Sequence, residues 1–411
     1  MVAIGPWTKG MNNRAEDHAL PMSTREDPGD SCRNAVNVDF DNTGKGKRRK
    51  GMTKVYSATM PKGGFSCPAG MFFVESGMLK KFTGSSAVDL CPVAGDVFAY
   101  EYHNGIVYFS EGLVCKKIVS GVAKNWGMTP PAAPLVYSVS GSYGGGTYLA
   151  AVSFVDSAGV ESGASPIVSV EAPDGSGIVF SSLPIATDQQ VAYLRLYLSM
   201  PNGSELYHVA DVLPGSAPYT LSAGRYDDSN ILELAFISPP PPGRIIRFYN
   251  GRAYIADDAG AFWYSEPFSY DHFRLGSSFE QFPAALSIME PVTGGIFCAT
   301  DKETWFYART PEDGFSVVKK FDYGAIFGTG KRIPNSDDVA WQSQRGMVIG
   351  TADGACKNVQ ERHVAPDSAM SGAAIIREQD GVRQYIASLH NPTISKFAAK
   401  SWLTTEIIRR G

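Results

Sequence analysis

The chain has 411 residues, of which 44% are hydrophobic and 19% charged, and its formal net charge is −4. That length exceeds one small domain and predicts two or three units, or one large β-architecture with an insertion. The acidic balance excludes a general attraction to nucleic acid or to an anionic membrane surface, so sequence-specific DNA binding is not expected.

The first segment, residues 1–35, is polar and turn-rich and shows almost no strand or helix period. It predicts an extended N-terminal arm. Two interpretations stay open, a mobile terminus or a clamp onto a neighbouring subunit. The opening residues lack a secretory pattern, and no apolar run reaches the roughly 20 residues of a membrane span, so we expect synthesis in a cytoplasm and no membrane span.

Short β-patterned runs begin at about residue 36, each bounded by Gly, Asn, Asp or Pro. Residues 36–131 contain AVNVDFD, TKVYSA, GMFFVES, MLKKFTG, VFAYEYH and GIVYFSEG. Runs of the same pattern fill residues 238–411, for example RIIRFYNGRAYIAD, GAFWYSEP and GGIFCATDKETWFYA. The two regions predict an all-β, propeller-like hub in two parts. Only the end, SKFAAKSWLTTEIIRRG, fits a helix as well as a strand.

A weak repeat supports this interpretation. HNGIVYFS at 103–110 resembles YNGRAYIA at 249–256, with QRGMVIG at 344–350 as a looser third copy. Asn-Gly predicts a type I′ hairpin turn. Repeated hairpins favour the blades of a β-propeller, in which radial repetition protects the strand edges. An ordinary sandwich or meander uses the same turns and remains the alternative.

Residues 132–237 have a different pattern. Pro130 and Pro131 precede them and four prolines, 239–242, follow, and such prolines mark linkers. About seven short strands lie between, which predicts an inserted immunoglobulin-like or fibronectin-III-like β-sandwich.

No cofactor or metal site is predicted. Asp39–Gly44 begins like a calcium loop, but Lys50 occupies the position of the bidentate glutamate, so a hairpin turn is preferred. Gly328–Lys331 fails as a phosphate loop because Arg332 follows it and Ala325 replaces the first glycine. The glycine-rich 141–146 leads into a strand, which leaves no helix N-terminus to hold an anion.

The cysteines show no CxxC spacing and no histidines at zinc-ligand distances, so they are interpreted as free, buried thiols. They are Cys32, Cys67, Cys91, Cys115, Cys298 and Cys356.

No catalytic residue is predicted, and we expect the chain not to be an enzyme. The densest polar cluster, Tyr264–Phe273, contains Ser265, Asp271 and His272. On a strand the adjacent Asp271 and His272 point to opposite faces, and no GxSxG elbow surrounds Ser265. The aromatic residues of this cluster are instead expected to act as packing anchors.

One basic run is present, Lys45, Lys47, Arg48, Arg49 and Lys50. Such a run can contact phosphates with salt-dependent strength. Without interleaved aromatic residues it is interpreted first as a solvated turn or a subunit contact.

Several segments together resemble a family of phage tail-hub proteins, the tail nozzle or tail tube B-type proteins of short-tailed phages. The resemblance runs over most of the chain at glycine, aromatic and turn positions. It is carried by GMNNR at 10–14 with LP at 20–21, CRNAVNVD at 32–39 with Gly44 and RRKG at 48–51, GTY at 146–148, GVESG at 159–163, NGR at 250–252, WYSEP at 263–267 and YGAI at 323–326.

The resemblance implies a structural virion protein of the tail. Several copies would form a cyclic ring, expected as a hexamer, around the channel through which DNA leaves the capsid. Its implied partners are further copies, other tail proteins on the adaptor or portal side, tail fibres, and double-stranded DNA that passes without sequence-specific binding.

Two other functions fit the pattern less well. A carbohydrate-binding or glycan-cleaving tail propeller would need paired carboxylates or aromatic platforms in a cleft, and DKETW at 301–305 only faintly resembles an Asp-box, because Glu303 replaces its glycine. An intracellular propeller scaffold would show a regular GH…WD period, which is absent.

Overall fold

The computed structural model is all-β. Every regular element in the part of the chain that it describes is a strand. The described residues are 6–16, 20, 29–35, 38–41, 43–49, 51, 53–223, 226–310, 314–366, 368–379, 381–390 and 402–407. The chain divides into two compact units, one of Ala58–Asp257 with Ala261–Gln281 and the other of Met1–Ser57, Asp258–Gly260 and Phe282–Gly411.

The unit formed by Ala58–Asp257 and Ala261–Gln281 contains three antiparallel meanders. The strands of the first are β3 (Lys62–Cys67), β4 (Gly70–Glu75), β5 (Met78–Phe82) and β6 (Ala87–Pro92); those of the second are β7 (Ala99–His103), β8 (Ile106–Ser110), β9 (Cys115–Val119) and β10 (Val122–Asn125); those of the third are β19 (Ile245–Tyr249), β20 (Arg252–Ala256), β21 (Ala261–Glu266), β22 (Ser269–Phe273) and β23 (Phe279–Gln281).

Neighbouring meanders share apolar cores. The first and second meet through residues such as Phe72, Leu79 and Phe109. The second and third meet through Trp126, Ile255 and others, although the whole 132–237 region separates them in sequence. That region is therefore inserted between two meanders that pack side by side.

The inserted region forms two sheets around one core. The core contains Tyr148, Phe180 and Leu196. The sheets have the strand orders β11-β14-β17 and β13-β12-β15-β16-β18. Their strands are β11 (Leu135–Tyr143), β12 (Gly146–Asp156), β13 (Val168–Ala172), β14 (Ser176–Ser181), β15 (Val191–Ser199), β16 (Leu206–Val212), β17 (Tyr219–Leu221) and β18 (Asp227–Ile231).

The other unit contains a hairpin, two four-stranded meanders and a three-stranded sheet. Their strands are β1 (Val38–Phe40), β2 (Gly46–Arg48), β24 (Ile288–Val292), β25 (Gly295–Ala299), β26 (Thr304–Arg309), β27 (Phe315–Phe321), β28 (Lys331–Arg332), β29 (Val339–Ser343), β30 (Gly346–Gly350), β31 (Cys356–Asn358), β32 (Ser371–Gln379), β33 (Val382–His390) and β34 (Trp402–Ile407).

Burial changes across these sheets from one strand to the next. β24 and β25 are buried throughout, whereas most of β27 is exposed. Trp341 and Phe297 pack where the two four-stranded meanders meet, with ring centroids 5.4 Å apart. In the β24–β27 sheet burial thus falls from the first strands to the last, and this sheet packs against its neighbour as the sheets of a propeller-like hub do.

The predicted fold class, all-β with propeller-like short antiparallel hairpins, is confirmed. The two Asn-Gly pairs of the weak repeat form two-residue hairpin turns with positive φ at each turn residue, 49° and 82° at Asn104 and Gly105 and 46° and 73° at Asn250 and Gly251. The looser copy also turns in two residues, because Ser343 pairs with Gly346.

Two local predictions need correction or completion. TKVYSA at 53–58 was predicted as a strand and is irregular. The first strand of its meander is β3 instead, which the sequence hides because Gly63 and Gly64 suggest a turn. The ambiguous C-terminal segment contains a strand at β34, and the rest of it, 395–401 and 408–411, lies outside the described residues. The immunoglobulin-like class of the insertion and the domain boundaries at 35, 131 and 237 remain predictions.

Candidate interaction joints and surfaces

The insertion is joined to the third meander by a histidine. The Nε2 of His272 on β22 donates to the backbone oxygen of Glu161, 2.6 Å away, and its Nδ1 lies 2.7 Å from the Ser269 hydroxyl. Because Nε2–H donates to a carbonyl, Nδ1 accepts from the serine. The imidazole is thus held on both sides, and Glu161, in the segment after β12, is tied to a strand more than 100 residues later.

The Glu161 side chain organises a buried polar network behind this joint. Its Oε1 accepts from the Tyr197 hydroxyl at 2.6 Å and from the Ser153 hydroxyl, and its Oε2 lies 3.2 Å from Arg195. Arg195 also donates to Asp211 at 3.0 Å. Burial raises the pKa of Tyr197, and the Glu161 carboxylate raises it further. At neutral pH the tyrosine therefore stays a donor, and the carboxylate keeps its partners.

An aromatic cluster fills the contact between the second and third meanders. The His103 ring stacks on Phe248 with centroids 4.2 Å apart, and its Nε2 lies 3.2 Å from the Tyr270 hydroxyl. Burial lowers the pKa of His103, so the neutral ring is favoured. Trp126 donates its indole N–H to the Tyr270 carbonyl at 2.9 Å. These residues fix two meanders that the chain visits before and after the insertion.

Further polar links support the same contact. Lys117 on β9 pairs with Asp271 on β22 at 2.5 Å, and the backbone of Ser238 exchanges two 2.9 Å hydrogen bonds with that of Phe273. Asp271 and His272 therefore reach different partners, as their adjacent positions on a strand predict. Ser265 is buried and its hydroxyl bonds the backbone at Ala253 and Glu266, which does not bring it to His272.

In the other unit, the described part of the N-terminal segment is folded onto later residues. Met11 forms a parallel bridge with Cys32, and Asn13 is bonded to His363 and Ala365. Arg14 donates to the Val364 carbonyl at 3.0 Å. The predicted arm also includes 1–5, 17–19 and 21–28, which lie outside the described residues.

The basic run lies on the β1–β2 hairpin. This hairpin confirms the turn preferred over a calcium loop, because the Asp41 carboxylate accepts from the Thr43 and Lys45 amides. Arg49 pairs with Asp39 at 2.9 Å, and Asp39 also binds Arg377 at 3.0 Å. Lys45 and Lys47 are exposed. Lys50 lies outside the described residues.

The other glycine-rich segments are packing turns. The Thr329 hydroxyl is buried and donates to the Ile326 carbonyl at 2.7 Å, while the Tyr385 hydroxyl donates to the Thr329 carbonyl at 2.8 Å. A Cβ on Gly330 would come within 2.3 Å of Glu290. The segment at 141–146 leads into a strand, as predicted, but it is not a loop throughout: residues 141–143 end β11, Gly146 begins β12, and only Gly144 and Gly145 lie between them.

None of the six cysteines forms a disulfide bond, as predicted, but only Cys91, Cys115 and Cys298 are buried. The prediction of burial is wrong for the remaining three, which are half-buried on or near strands that have an exposed side. Within the described residues, no group of three or more His, Cys, Asp or Glu side chains could hold a metal ion. Nor do the described residues form a helix long and apolar enough to cross a membrane.

Comparison with known proteins gives little. No protein-family model matches the chain, and no curated protein matches it. Among solved structures it is similar to two crystal structures of BBS1N in complex with ARL6DN, one soaked with mercury and one with lead, each with a TM-score of 0.34. The identities are 11% and 9%, and the matches cover 87% and 86% of this chain and 94% of each of those chains. A TM-score this low carries no argument about function.

Proposed function

We propose that this chain is a structural subunit of a bacteriophage tail, a hub or nozzle component whose copies form a cyclic ring around the DNA ejection channel. In this role the chain acts as a rigid scaffold that connects other tail components and catalyses no reaction. The protein would lie in the virion tail and would be synthesised in the host cytoplasm.

The observation that carries the proposal is where the tail-hub-like segments lie. GMNNR contributes Asn13, which holds residues 363–365, and GVESG contributes Glu161, which holds His272 and the buried network. NGR contributes Arg252, whose guanidinium donates to the Ser265 carbonyl at 2.5 Å. Asn13 and Glu161 thus attach the arm and the insertion to later parts of the chain, and Arg252 joins two strands of the third meander, which supports a shared architecture.

A fourth such segment, YGAI at 323–326, supports the same conclusion. In YGAI, a Cβ on Gly324 would come within 2.0 Å of the Thr300 carbonyl, and the Ala325 amide donates to that carbonyl at 2.9 Å. The Thr304 hydroxyl donates to the Tyr323 carbonyl at 2.8 Å. Close backbone approach explains why this segment needs a small residue.

DNA is proposed to pass this subunit without being read. A genome that must leave quickly is slowed by each phosphate that a lysine or arginine neutralises. Within the described part of the basic run, Arg49 supports this because it pairs with Asp39, whereas Lys45, Lys47 and Arg48 are exposed. Lys45 and Lys47 are expected at a subunit contact or in solvent.

The test is an electron cryo-microscopy map of the virion. We expect several copies of this chain in a ring of cyclic symmetry, expected as six, at the channel. A single isolated copy per tail would refute the ring, and its absence from the tail would refute the function. Hydrolysis of host polysaccharide by the purified chain would instead establish the glycan-cleaving alternative.

A further inference from the structure

Charge is divided unevenly along this chain. Residues 132–237 contain ten aspartates and glutamates but only two arginines and no lysine, which gives the insertion a formal charge of −8. Residues 1–131 contain 16 lysines and arginines against 12 aspartates and glutamates, a formal charge of +4, and residues 238–411 contain 19 of each kind. The net charge of −4 therefore hides two regions of opposite sign, and such asymmetry indicates binding to oppositely charged partners.

The positive charge of residues 1–131 is concentrated on the β1–β2 hairpin. Lys45, Lys47 and Arg48 are exposed there. None of the three forms an ion pair with a carboxylate of the described chain. We call this surface the basic hairpin, and Lys45 and Lys47 the hairpin lysines.

The carboxylates on the same hairpin are already engaged. Asp39 lies opposite Lys47 in the strand register, but it pairs with Arg49 at 2.9 Å and with Arg377 at 3.0 Å. Asp41 accepts from backbone amides of the turn at 2.9 Å and 3.0 Å. The hairpin lysines therefore keep their charge available for a carboxylate from outside the hairpin.

The negative charge of the insertion reaches an open sheet edge. β18 is the last strand of its five-stranded sheet and pairs with β16 alone. In that pairing the Leu232 amide donates to the Leu206 carbonyl at 2.9 Å. One residue further, the same register places Glu205 opposite Glu233, and both are exposed. We call this surface the acidic edge, and Glu205 and Glu233 the edge glutamates.

No described cation neutralises the edge glutamates. Glu205 accepts from the neutral Tyr207 hydroxyl at 2.7 Å. The one described arginine of the insertion, Arg195, pairs instead with Glu161 and Asp211. Like charges directly opposite each other on neighbouring strands destabilise the pair. A positive partner would stabilise this edge, and the insertion contains no lysine that could supply one.

The two surfaces have matching dimensions. The hairpin lysines are two residues apart on an extended segment, so their Cα atoms are separated by about 7 Å. Residues directly opposite each other on antiparallel strands, as the edge glutamates are, have Cβ atoms about 5 Å apart. Long lysine side chains bridge the difference, so both lysines can reach a glutamate at the same time.

We propose that the basic hairpin of one copy binds the acidic edge of the next copy, and that this charge-paired contact joins neighbours in the ring. The inference rests on the proposed function. The occupant is a second copy because each chain carries both charges, while its own hairpin lysines stay exposed and without a carboxylate partner. Two different surfaces of one molecule make a head-to-tail contact, which generates a ring when its rotation closes.

Double-stranded DNA is the competing occupant of the basic hairpin. Phosphates would neutralise the hairpin lysines, but the insertion, with its charge of −8, would repel the same polymer. A second copy explains the exposed lysines and the exposed glutamates with one contact. The observations therefore favour the second copy.

The experiment follows assembly of the full chain by sedimentation velocity at low and high salt. We expect multimers at about 0.05 M salt that dissociate at about 1 M salt, because exposed charges are then screened within about 3 Å. Lys45→Glu with Lys47→Glu should weaken association at least about a hundredfold at low salt, because like charges then face each other. Glu205→Lys with Glu233→Lys should do the same.

Two further samples test whether these surfaces meet. The chain with all four substitutions has the wild-type net charge and reversed polarity at both surfaces, so it should assemble again. An equimolar mixture of the two double variants should also assemble, with the variants alternating, because each basic surface then faces an acidic one. A misfolded variant would restore assembly in neither sample.

A matched control separates this contact from the effect of net charge. Lys302→Glu with Lys357→Glu makes the same change of charge at two other exposed lysines. This variant should assemble like the wild-type chain.

Several results would overturn the inference: a wild-type chain that stays monomeric at low salt, assembly that ignores salt, assembly that stops at a closed dimer, an equal defect in the control, or no recovery in the four-substitution chain. DNA is the occupant instead if the Lys45→Glu, Lys47→Glu variant assembles normally but loses binding to duplex DNA. A virion map whose ring contacts lie elsewhere would refute this contact alone, while a map without the chain in the tail would refute the proposed function.

Discussion

Asn13 and Ala365 exchange two hydrogen bonds although 352 residues separate them in the chain. The Ala365 amide donates to Asn13 Oδ1 at 2.7 Å, and Asn13 Nδ2 donates to the Ala365 carbonyl at 3.2 Å. A side-chain amide can satisfy both backbone groups of one residue because it offers an acceptor and a donor side by side. These two hydrogen bonds attach the described part of the N-terminal segment to residues far along the sequence.

Replacing Asn13 by alanine should loosen the contact between the N-terminal segment and Ala365. Two side-chain hydrogen bonds are lost, and a typical one contributes about 1 kcal/mol. We expect amide hydrogen exchange at Ala365 to become roughly fivefold faster or more. Asn13→Asp keeps the acceptor and should protect the Ala365 amide better than alanine does. Unchanged exchange in Asn13→Ala would show that the two hydrogen bonds do not protect the Ala365 amide.

His272→Ala should loosen the insertion from the third meander. The substitution removes the bond to the Glu161 carbonyl and leaves that acceptor without its partner, which costs about 1–3 kcal/mol. We expect faster proteolysis in the segment between β18 and β19, measured by mass spectrometry of the fragments. Ser269→Ala, which removes only the Nδ1 partner, should have the smaller effect. Equal effects of the two variants would contradict the role given to the Glu161 contact.

The thiol of Cys115 should react more slowly than those of Cys32, Cys67, Cys91 and Cys356. Burial raises the pKa of Cys115 to about 12, and its thiol lies 3.3 Å from the Pro241 carbonyl. Only the thiolate reacts, so alkylation at pH 8 should be roughly a thousandfold slower than for a thiol with an ordinary pKa. Burial also raises the pKa of Cys67, but that thiol is half-buried and should label first. Rapid native labelling of Cys115 by iodoacetamide would contradict this packing.

Trp341 offers a test of the core where the two four-stranded meanders of its unit meet. It is fully buried, and its indole N–H has no hydrogen-bond partner among the described residues. Trp341→Phe keeps most of the apolar contact and removes an unsatisfied donor, so it should cost less than about 1.5 kcal/mol. Trp341→Ala leaves a cavity and should cost about 3–5 kcal/mol. Urea unfolding of both variants measures the difference, and similar losses would show that the indole N–H is satisfied in solution.

Much of the local structure follows from short stretches of sequence. Asn104-Gly105 and Asn250-Gly251 form their hairpin turns because both residues tolerate positive φ, and alternating apolar runs such as GIVYFSEG form strands beside them. The failures are local as well. TKVYSA has strand propensity but no partner strand, whereas the glycines of β3 hide a strand that its neighbour β4 pairs.

The sequence by itself determined the short strands, their turns and the all-β class, because these depend on side-chain period and turn chemistry over a few residues. Only the tertiary structure decided that Glu161 meets His272, that Asn13 meets Ala365, and that Arg274 binds both Glu266 and the Ala235 carbonyl. Such contacts join segments that are far apart in the chain. The alternation of polar and apolar residues along each segment does not depend on its partner, so it does not identify that partner. The partner is selected by packing and by hydrogen-bond satisfaction in the folded state.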